Sequence, residues 1–160
     1  ENFGEPIKNI CEAIKQLALE FPKGVVFVYP VHLNPNIRKP VYDILDNISN
    51  VILTEPMEYL PFSHLMKRSY LVLTDSGGLQ EEAPSLGKPV LVMRQTTERP
   101  EGITAGCVEV VGTDTKKVIS TIKSLLKDQK KYTRMSKTKN PYGDGTASKQ
   151  ILRRILKESK

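Results

Sequence analysis

Apolar positions along this chain change period block by block. Residues 6–20 place Ile7, Ile10, Cys11, Ile14, Leu17 and Ala18 at helical spacing, with Pro6 suited to a first turn and Pro22-Lys23-Gly24 beyond the end. Val25-Val26-Phe27-Val28-Tyr29 follows, a β-branched and aromatic run bounded by Gly24 and Pro30, long enough for a strand and too short for a helix. The alternation continues with a helix over 40–47, a strand over 51–53, a helix over 61–69 whose proline sits in its first turn, and a strand over 70–74. After Gly77-Gly78 the pattern predicts a helix over 79–86, a strand over 89–93, a loop, and a short strand over 107–111. Asp114 caps a strongly periodic helix bearing Val118, Ile119, Ile122, Leu125 and Leu126. A turn cluster, Asn140-Pro141-Tyr142-Gly143-Asp144-Gly145, leads into a last helix with Ile151, Leu152, Ile155 and Leu156 as its apolar stripe.

Strands that are nearly continuous in apolar residues, separated by helices, predict a parallel sheet covered on both faces, an α/β doubly wound domain. In such sheets ligands sit outside the carboxyl ends of the strands. Function is therefore sought in the loops after Tyr29, Leu53, Thr74 and Met93.

Composition narrows the class. At 160 residues, 39% apolar and 26% charged, the chain is one globular folding unit rather than a collagen-like or disordered one. No apolar run approaches the ~18 residues of a membrane helix, and the first residues lack the pattern of a secretory signal, so a soluble cytoplasmic protein with no membrane partner is expected. Cys11 and Cys107 stand far apart and only His32 and His64 accompany them, which supports neither a disulfide framework nor a metal cluster. The net charge of +6 divides unevenly, −5 over residues 1–115 and +11 over 116–160. A basic tail of this kind is compatible with nucleic acid, whose mark is steep salt dependence. Its Lys and Arg are spaced through amphipathic patterns, however, with only Tyr132 and Tyr142 to stack on bases, and a solvated helix face is the expectation.

The strongest local signal is Thr74-Asp75-Ser76-Gly77-Gly78, followed by Leu79-Gln80-Glu81-Glu82-Ala83-Pro84. Two glycines between a parallel strand and a helix let a ligand approach the backbone, helix-start amides attract phosphate, and Ser76 adds a hydroxyl. The spacing matches neither a P-loop nor a dinucleotide fingerprint, so the reading is a diphosphate cradle without metal; the alternative is a plain tight turn. One of Glu81 and Glu82 is placed to bond both hydroxyls of a ribose beside such a phosphate, or both simply compensate the helix dipole. Arg94-Gln95-Thr96-Thr97-Glu98-Arg99-Pro100-Glu101-Gly102 brings two guanidinium groups to a neighbouring strand end, suited to clamping phosphate or orienting a carboxylate. His32, in Tyr29-Pro30-Val31-His32-Leu33-Asn34-Pro35-Asn36, lies at the ligand edge, whereas His64 reads as an ordinary helix residue. Phe62 is either core or the wall of a base pocket.

Together these strings resemble the carboxyl-terminal half of the non-hydrolysing UDP-N-acetylglucosamine 2-epimerases. The resemblance runs through Glu1-Asn2-Phe3-Gly4, residues 29–36, 74–84, Thr97-Glu98-Arg99-Pro100 and 140–145. It implies one Rossmann-like half of a two-domain GT-B fold, with residues 1–145 as the UDP-binding domain and 146–160 as a helix that packs on an amino-terminal domain. It implies that Ser76, Gly77 and Gly78 hold the diphosphate, Glu82 the ribose and Arg99 the substrate. Phe62 and Met57 match the uracil-contacting segment, where some relatives carry Gln in place of Met57. His32 matches a histidine near the active site and near a second, activating UDP-N-acetylglucosamine.

The implied reaction interconverts UDP-N-acetylglucosamine and UDP-N-acetylmannosamine by anti elimination of UDP and its readdition, without cofactor or metal. It needs placed acid and base groups because the C2 proton is weakly acidic. The family's carboxylates for this lie in the amino-terminal domain, and a His-Arg stretch with the strand leading into it precedes the position of Glu1. No catalytic residue is therefore assigned in this chain, and a gap is expected where that central strand belongs. The implied partners are UDP, UDP-N-acetylglucosamine, the amino-terminal domain and, once complete, a second copy. The alternative is a UDP-sugar-binding subunit of a GT-B glycosyltransferase.

Overall fold

The computed structural model describes residues 2–158. Glu1, which opens the Glu1-Asn2-Phe3-Gly4 string, and Ser159 and Lys160, at the end of the 146–160 segment, lie outside the described residues. In order the elements are α1 (Glu5–Glu20), β1 (Phe27–Pro30), α2 (Pro35–Leu45), β2 (Val51–Thr54), α3 (Tyr59–Arg68), β3 (Val72–Thr74) and α4 (Gly77–Ser85). Then come β4 (Val90–Val92), α5 (Pro100–Ala105), β5 (Val108–Val110), α6 (Thr115–Lys127), α7 (Gln129–Ser136) and α8 (Ala147–Glu158).

Several boundaries differ from the pattern-based reading. Helix α2 starts five residues earlier than 40–47 because Pro35, not Pro40, is its first-turn proline: the Asn34 side chain accepts from the Asn36 amide at 2.9 Å and starts the helix there. Gly77 and Gly78 belong to the first turn of α4 instead of preceding it. Part of the loop expected after β4 forms α5, with Pro100 in its first turn. Helix α7 has little apolar periodicity, but Asp128 caps it by accepting from the Lys130 and Lys131 amides, both at 2.9 Å.

All pairings are parallel: β1 with β2, and β3 with β4 and β4 with β5. Strand β4 is buried throughout; Leu91 faces α1 and α6 with Val111, Val118 and Leu125, while Val90 and Val92 face Met66 and Ala83 on the other side. Helices therefore cover both faces.

The two sets of strands do not join. Among the described residues they form a two-stranded and a three-stranded sheet, separated by a groove of about 570 Å³ lined by residues 25–30 and 70–76. Residues Phe27 and Val31 donate to β2, and Val72 donates toward β4, so alternation turns the backbone groups of Val28 on one bank and Leu71 and Leu73 on the other into the groove. Ile7, Ile10 and Ile14 of α1 and Phe62, Leu65 and Met66 of α3 also line it. The order across the molecule is β2-β1-groove-β3-β4-β5, which is a doubly wound order with its central position open, as the sequence reading expected.

Cys11 is fully buried in α1, and burial pushes its thiol up to about 12 from 9.0. A neutral thiol reacts slowly. In the folded protein at pH 8, Cys11 is expected to resist a thiol-titrating reagent that labels it fully in urea; prompt labelling without denaturant contradicts its packing. Because the folded-state value is raised, the associated stability is complete below about pH 9 and is lost as pH rises through about 12.

Candidate functional site: the α4 turn and the mouth of the groove

The order of strands reverses across the groove, and α/β sheets bind ligands at the carboxyl mouth of such a reversal. Tyr29 and Pro30 at the end of β1 and Thr74 and Asp75 at the end of β3 line this mouth together, and burial, with added repulsion from Cys11 and Asp75, raises the Tyr29 hydroxyl's pKa. Asn2 closes this mouth from inside: its side-chain amide donates to Asp75 Oδ2 at 3.0 Å and to the Met93 carbonyl at 3.1 Å. Sequence pattern gave Asn2 no role, since a lone amide before a helix carries no period.

Helix α4 begins at this mouth. Ser76 occupies the cap position, yet its side chain makes no cap hydrogen bond, in contrast with Asn34 on α2 and Asp114 on α6. The first-turn amides of α4 have no intrahelical acceptors and point outward with the positive end of the helix dipole. The two glycines here are not required by the fold. A Cβ at Gly77 meets nothing nearer than Arg99 Nη2 at 3.9 Å, and one at Gly78 meets Ser76 Oγ at 3.9 Å and Glu82 Oε1 at 4.0 Å, all ordinary contacts. Glycine in a helix costs about 0.5–1 kcal/mol relative to alanine, so two in succession with room for side chains leave backbone open to something outside the chain.

The charges around the turn have sorted themselves. Arg99 Nε donates to Glu81 Oε1, a bond that holds the guanidinium more firmly in its charged form, and Nη2 lies over Gly77. With Glu81 engaged, Glu82 makes no ion pair among the described residues, and its carboxylate stays close to Gly78. The two glutamates, which the residue pattern left open and of which the resemblance singled out Glu82, are thus distinguished by partner. Arg94 turns elsewhere, reaching Glu98 at 3.9 Å.

Of the remaining candidates, Phe62 packs beside Met66, Ala83 and Val92 and also lines the groove, while Met57 is half-buried in the segment between β2 and α3. His32 is exposed on the loop after β1, and its Nδ1 accepts the Asn34 amide at 3.1 Å, which leaves Nε2 as the ring's N–H donor. Exposed Leu33, Tyr59, Leu60 and Ile103 all come from segments that follow β1, β2 and β4, so the rim carries apolar side chains. No group of His, Cys, Asp and Glu suited to a metal occurs among the described residues, and no described helix is long and apolar enough to cross a membrane.

Two further residues were missed. Tyr142, read in the sequence as part of the 140–145 turn cluster and as a possible base stacker, holds the Arg99 segment: its hydroxyl accepts from the Gly102 amide at 3.0 Å and donates to the Arg99 carbonyl at 3.2 Å. Gln80 is fully buried and bonded to Thr97. Its signal was present as a polar side chain at core-facing spacing from Ala83 and Pro84.

Residues 1–156 match the family described as UDP-N-acetylglucosamine 2-epimerase. The chain is 56% identical over 152 residues to the UDP-N-acetylglucosamine 2-epimerase of Escherichia coli K12, covering 95% of this chain and 40% of that protein. Against the enzyme of that name from Campylobacter jejuni it is 54% identical over 157 residues, covering 98% and 41%. Among solved structures, the Neisseria meningitidis UDP-GlcNAc 2-epimerase bound to UDP-GlcNAc superposes with a TM-score of 0.93 at 54% identity, over 98% of this chain and 42% of that one. The S. aureus MnaA-UDP co-structure gives 0.93 at 46% identity, over 97% and 42%. The chain spans about two fifths of the length of these relatives, and it belongs to the UDP-N-acetylglucosamine 2-epimerase family, with the parallel α/β architecture of part of that GT-B-like fold.

Proposed function

We propose that this chain is the UDP-binding half of a UDP-N-acetylglucosamine 2-epimerase, inactive alone, with residues 1–145 as the nucleotide domain. The observation that carries the reading is the α4 turn: uncapped amides, two glycines with unfilled space, and a guanidinium held over one of them. In this reading the amides at Gly77 and Gly78 and the Ser76 hydroxyl take the diphosphate, and Arg99 adds charge-assisted bonds to it. Glu82, which makes no ion pair among the described residues, accepts from the ribose hydroxyls one turn along. Phe62 and Met57 border the uracil. The Neisseria relative is bound to UDP-GlcNAc and the S. aureus relative to UDP, which supports the same ligands for this chain.

The chemical step, loss of UDP from the sugar and its return with the opposite configuration at C2, needs acid and base groups that the amino-terminal domain supplies. The apolar rim of Leu33, Tyr59, Leu60 and Ile103 and the apolar stripe of α8, whose Ile151, Leu152, Ile155 and Leu156 are each more than half exposed, supply the surface on which that domain packs. His32 stands at the same rim, near the cleft where a second, activating UDP-N-acetylglucosamine is received, and the completed protein pairs as a homodimer. A glycosyltransferase subunit of the same GT-B type gains no support from the family match.

Titration calorimetry tests the nucleotide site directly. UDP is expected to bind without added metal, and Gly78→Leu to weaken it about a hundredfold, as for two lost hydrogen bonds to charge at about 1.5 kcal/mol each. Unchanged affinity in the folded variant removes the cradle from this account.

A further inference from the structure

Gln80 is the largest polar side chain fully buried in the fold, one turn into α4. Its Oε1 accepts the Thr97 hydroxyl proton at 2.5 Å, while its Nε2 is buried with no hydrogen-bond partner. A half-satisfied amide in a core costs free energy that an apolar side chain of the same size avoids. Its value to the protein therefore lies in what the oxygen does.

That oxygen sets the direction of one hydroxyl. A threonine hydroxyl has a single proton, and here it is committed to Gln80; the lone pair left on Thr97 Oγ1 then accepts the Arg99 amide at 3.0 Å. On its other side, the Arg99 carbonyl accepts from Tyr142. The main chain of Arg99 is thus fixed at both its N–H and its C=O, and from that base the side chain reaches Glu81 and lies over Gly77. Glu81 and Gln80 are neighbours on α4, so the helix that offers its amides at the turn also holds the arginine, through two adjacent residues of which one is exposed to the site and one is sealed in the core.

We infer that Gln80 is a positioning residue, which acts through the Thr97 hydroxyl to lock Arg99 at the α4 turn so that cation and helix amides are presented as one preformed anion site. The inference rests on the reading above only for what Arg99 binds. Preorganisation of this kind lowers the ordering cost of binding, and its loss falls on the phosphate part of a nucleotide alone.

Nitrogen-15 NMR of arginine Nε–Hε groups reads the lock without ligand, with Arg99→Lys identifying the Arg99 signal. Gln80→Met and Thr97→Val are each expected to shift that signal and speed its exchange with solvent about tenfold, the effect of one hydrogen bond. Thr97→Ser keeps the wild-type signal, and the double variant adds little to either single one. UDP affinity falls about tenfold in both variants while uridine affinity is unchanged. If Gln80→Met fails to fold, Thr97→Val, altered at a half-buried position, decides alone. An unmoved Arg99 signal in a folded variant, or a loss of stability with no change at Arg99, overturns the inference. Absence of UDP binding by the unaltered chain overturns the nucleotide reading instead, and leaves the NMR result to decide the role of Gln80.

Discussion

Gly102→Ala is expected to destabilise the fold by about 3 kcal/mol, the upper range for forcing a methyl group into a packed site. A Cβ there meets Val108 Cγ2 at 2.5 Å and the Tyr142 hydroxyl at 2.7 Å, with Val108 Cβ at 3.1 Å. Neither neighbour yields freely: Val108 belongs to β5, and Tyr142 is tied by its hydroxyl to both ends of the Arg99–Gly102 segment. Gly77→Ala and Gly78→Ala carry the opposite expectation, unchanged stability or a gain of about 0.5–1 kcal/mol, since space is open and alanine restricts the unfolded chain. Urea unfolding at constant slope separates the two classes. Equal losses at 77, 78 and 102 contradict the division into one glycine kept for packing and two kept for an approaching ligand. The Gly102 variant is also expected to loosen the segment that carries Arg99, whereas the two turn variants are expected to act at the proposed ligand contact itself.

The strands were legible because parallel strands buried on both faces leave dense apolar runs, and β4 and its neighbours fell within one or two residues of the pattern. Helix α2 was misplaced by five residues because the reading began at Pro40 and passed over Asn34-Pro35, a local cap whose side chain accepts from the Asn36 amide two residues on. The turn residues Ser76, Gly77 and Gly78 were legible as a phosphate-type string, and the structure adds what a string lacks, namely that no internal constraint asks for glycine at either position. The residue pattern alone left Glu81 and Glu82 open and only the family resemblance singled out Glu82, since which of the two pairs with Arg99 depends on a contact 18 residues away along the chain. Tyr142 was hidden for the same reason at longer range, 40 residues from its Gly102 contact. The basic carboxyl-terminal segment contains the two helices its periodicity predicted, α6 and α8, with α7 added between them, and Tyr132, a candidate base stacker, is instead stacked on Tyr70 with ring centroids 4.0 Å apart.

The largest effect is expected from completing the protein. With UDP-N-acetylglucosamine and no acceptor, this chain alone is expected to give no UDP-N-acetylmannosamine by proton NMR. Adding the amino-terminal half of a family member in trans is expected to raise turnover from nothing to a measurable rate. The groove dictates what that half must contain. Val28 on one bank and Leu71 and Leu73 on the other turn unpaired backbone groups toward each other between apolar walls from α1 and α3, a setting that satisfies one extended segment in parallel register. Because Tyr29 and Pro30 at the end of β1 line the same groove as Asp75 and Ser76 after β3, a parallel segment in the groove delivers the residues that follow it toward the proposed diphosphate site. An amino-terminal half that ends in such an apolar segment is therefore expected to complement, and the same half cut before it to lose at least about tenfold in rate, the worth of a few unmade backbone hydrogen bonds. Ile151→Asp with Ile155→Asp on α8 is expected to abolish complementation while leaving UDP affinity intact, since both side chains are more than half exposed and lie outside residues 1–145. Turnover by the chain alone, or equal rates with and without the extended segment, would show that the open centre of the sheet has no part in assembling the enzyme.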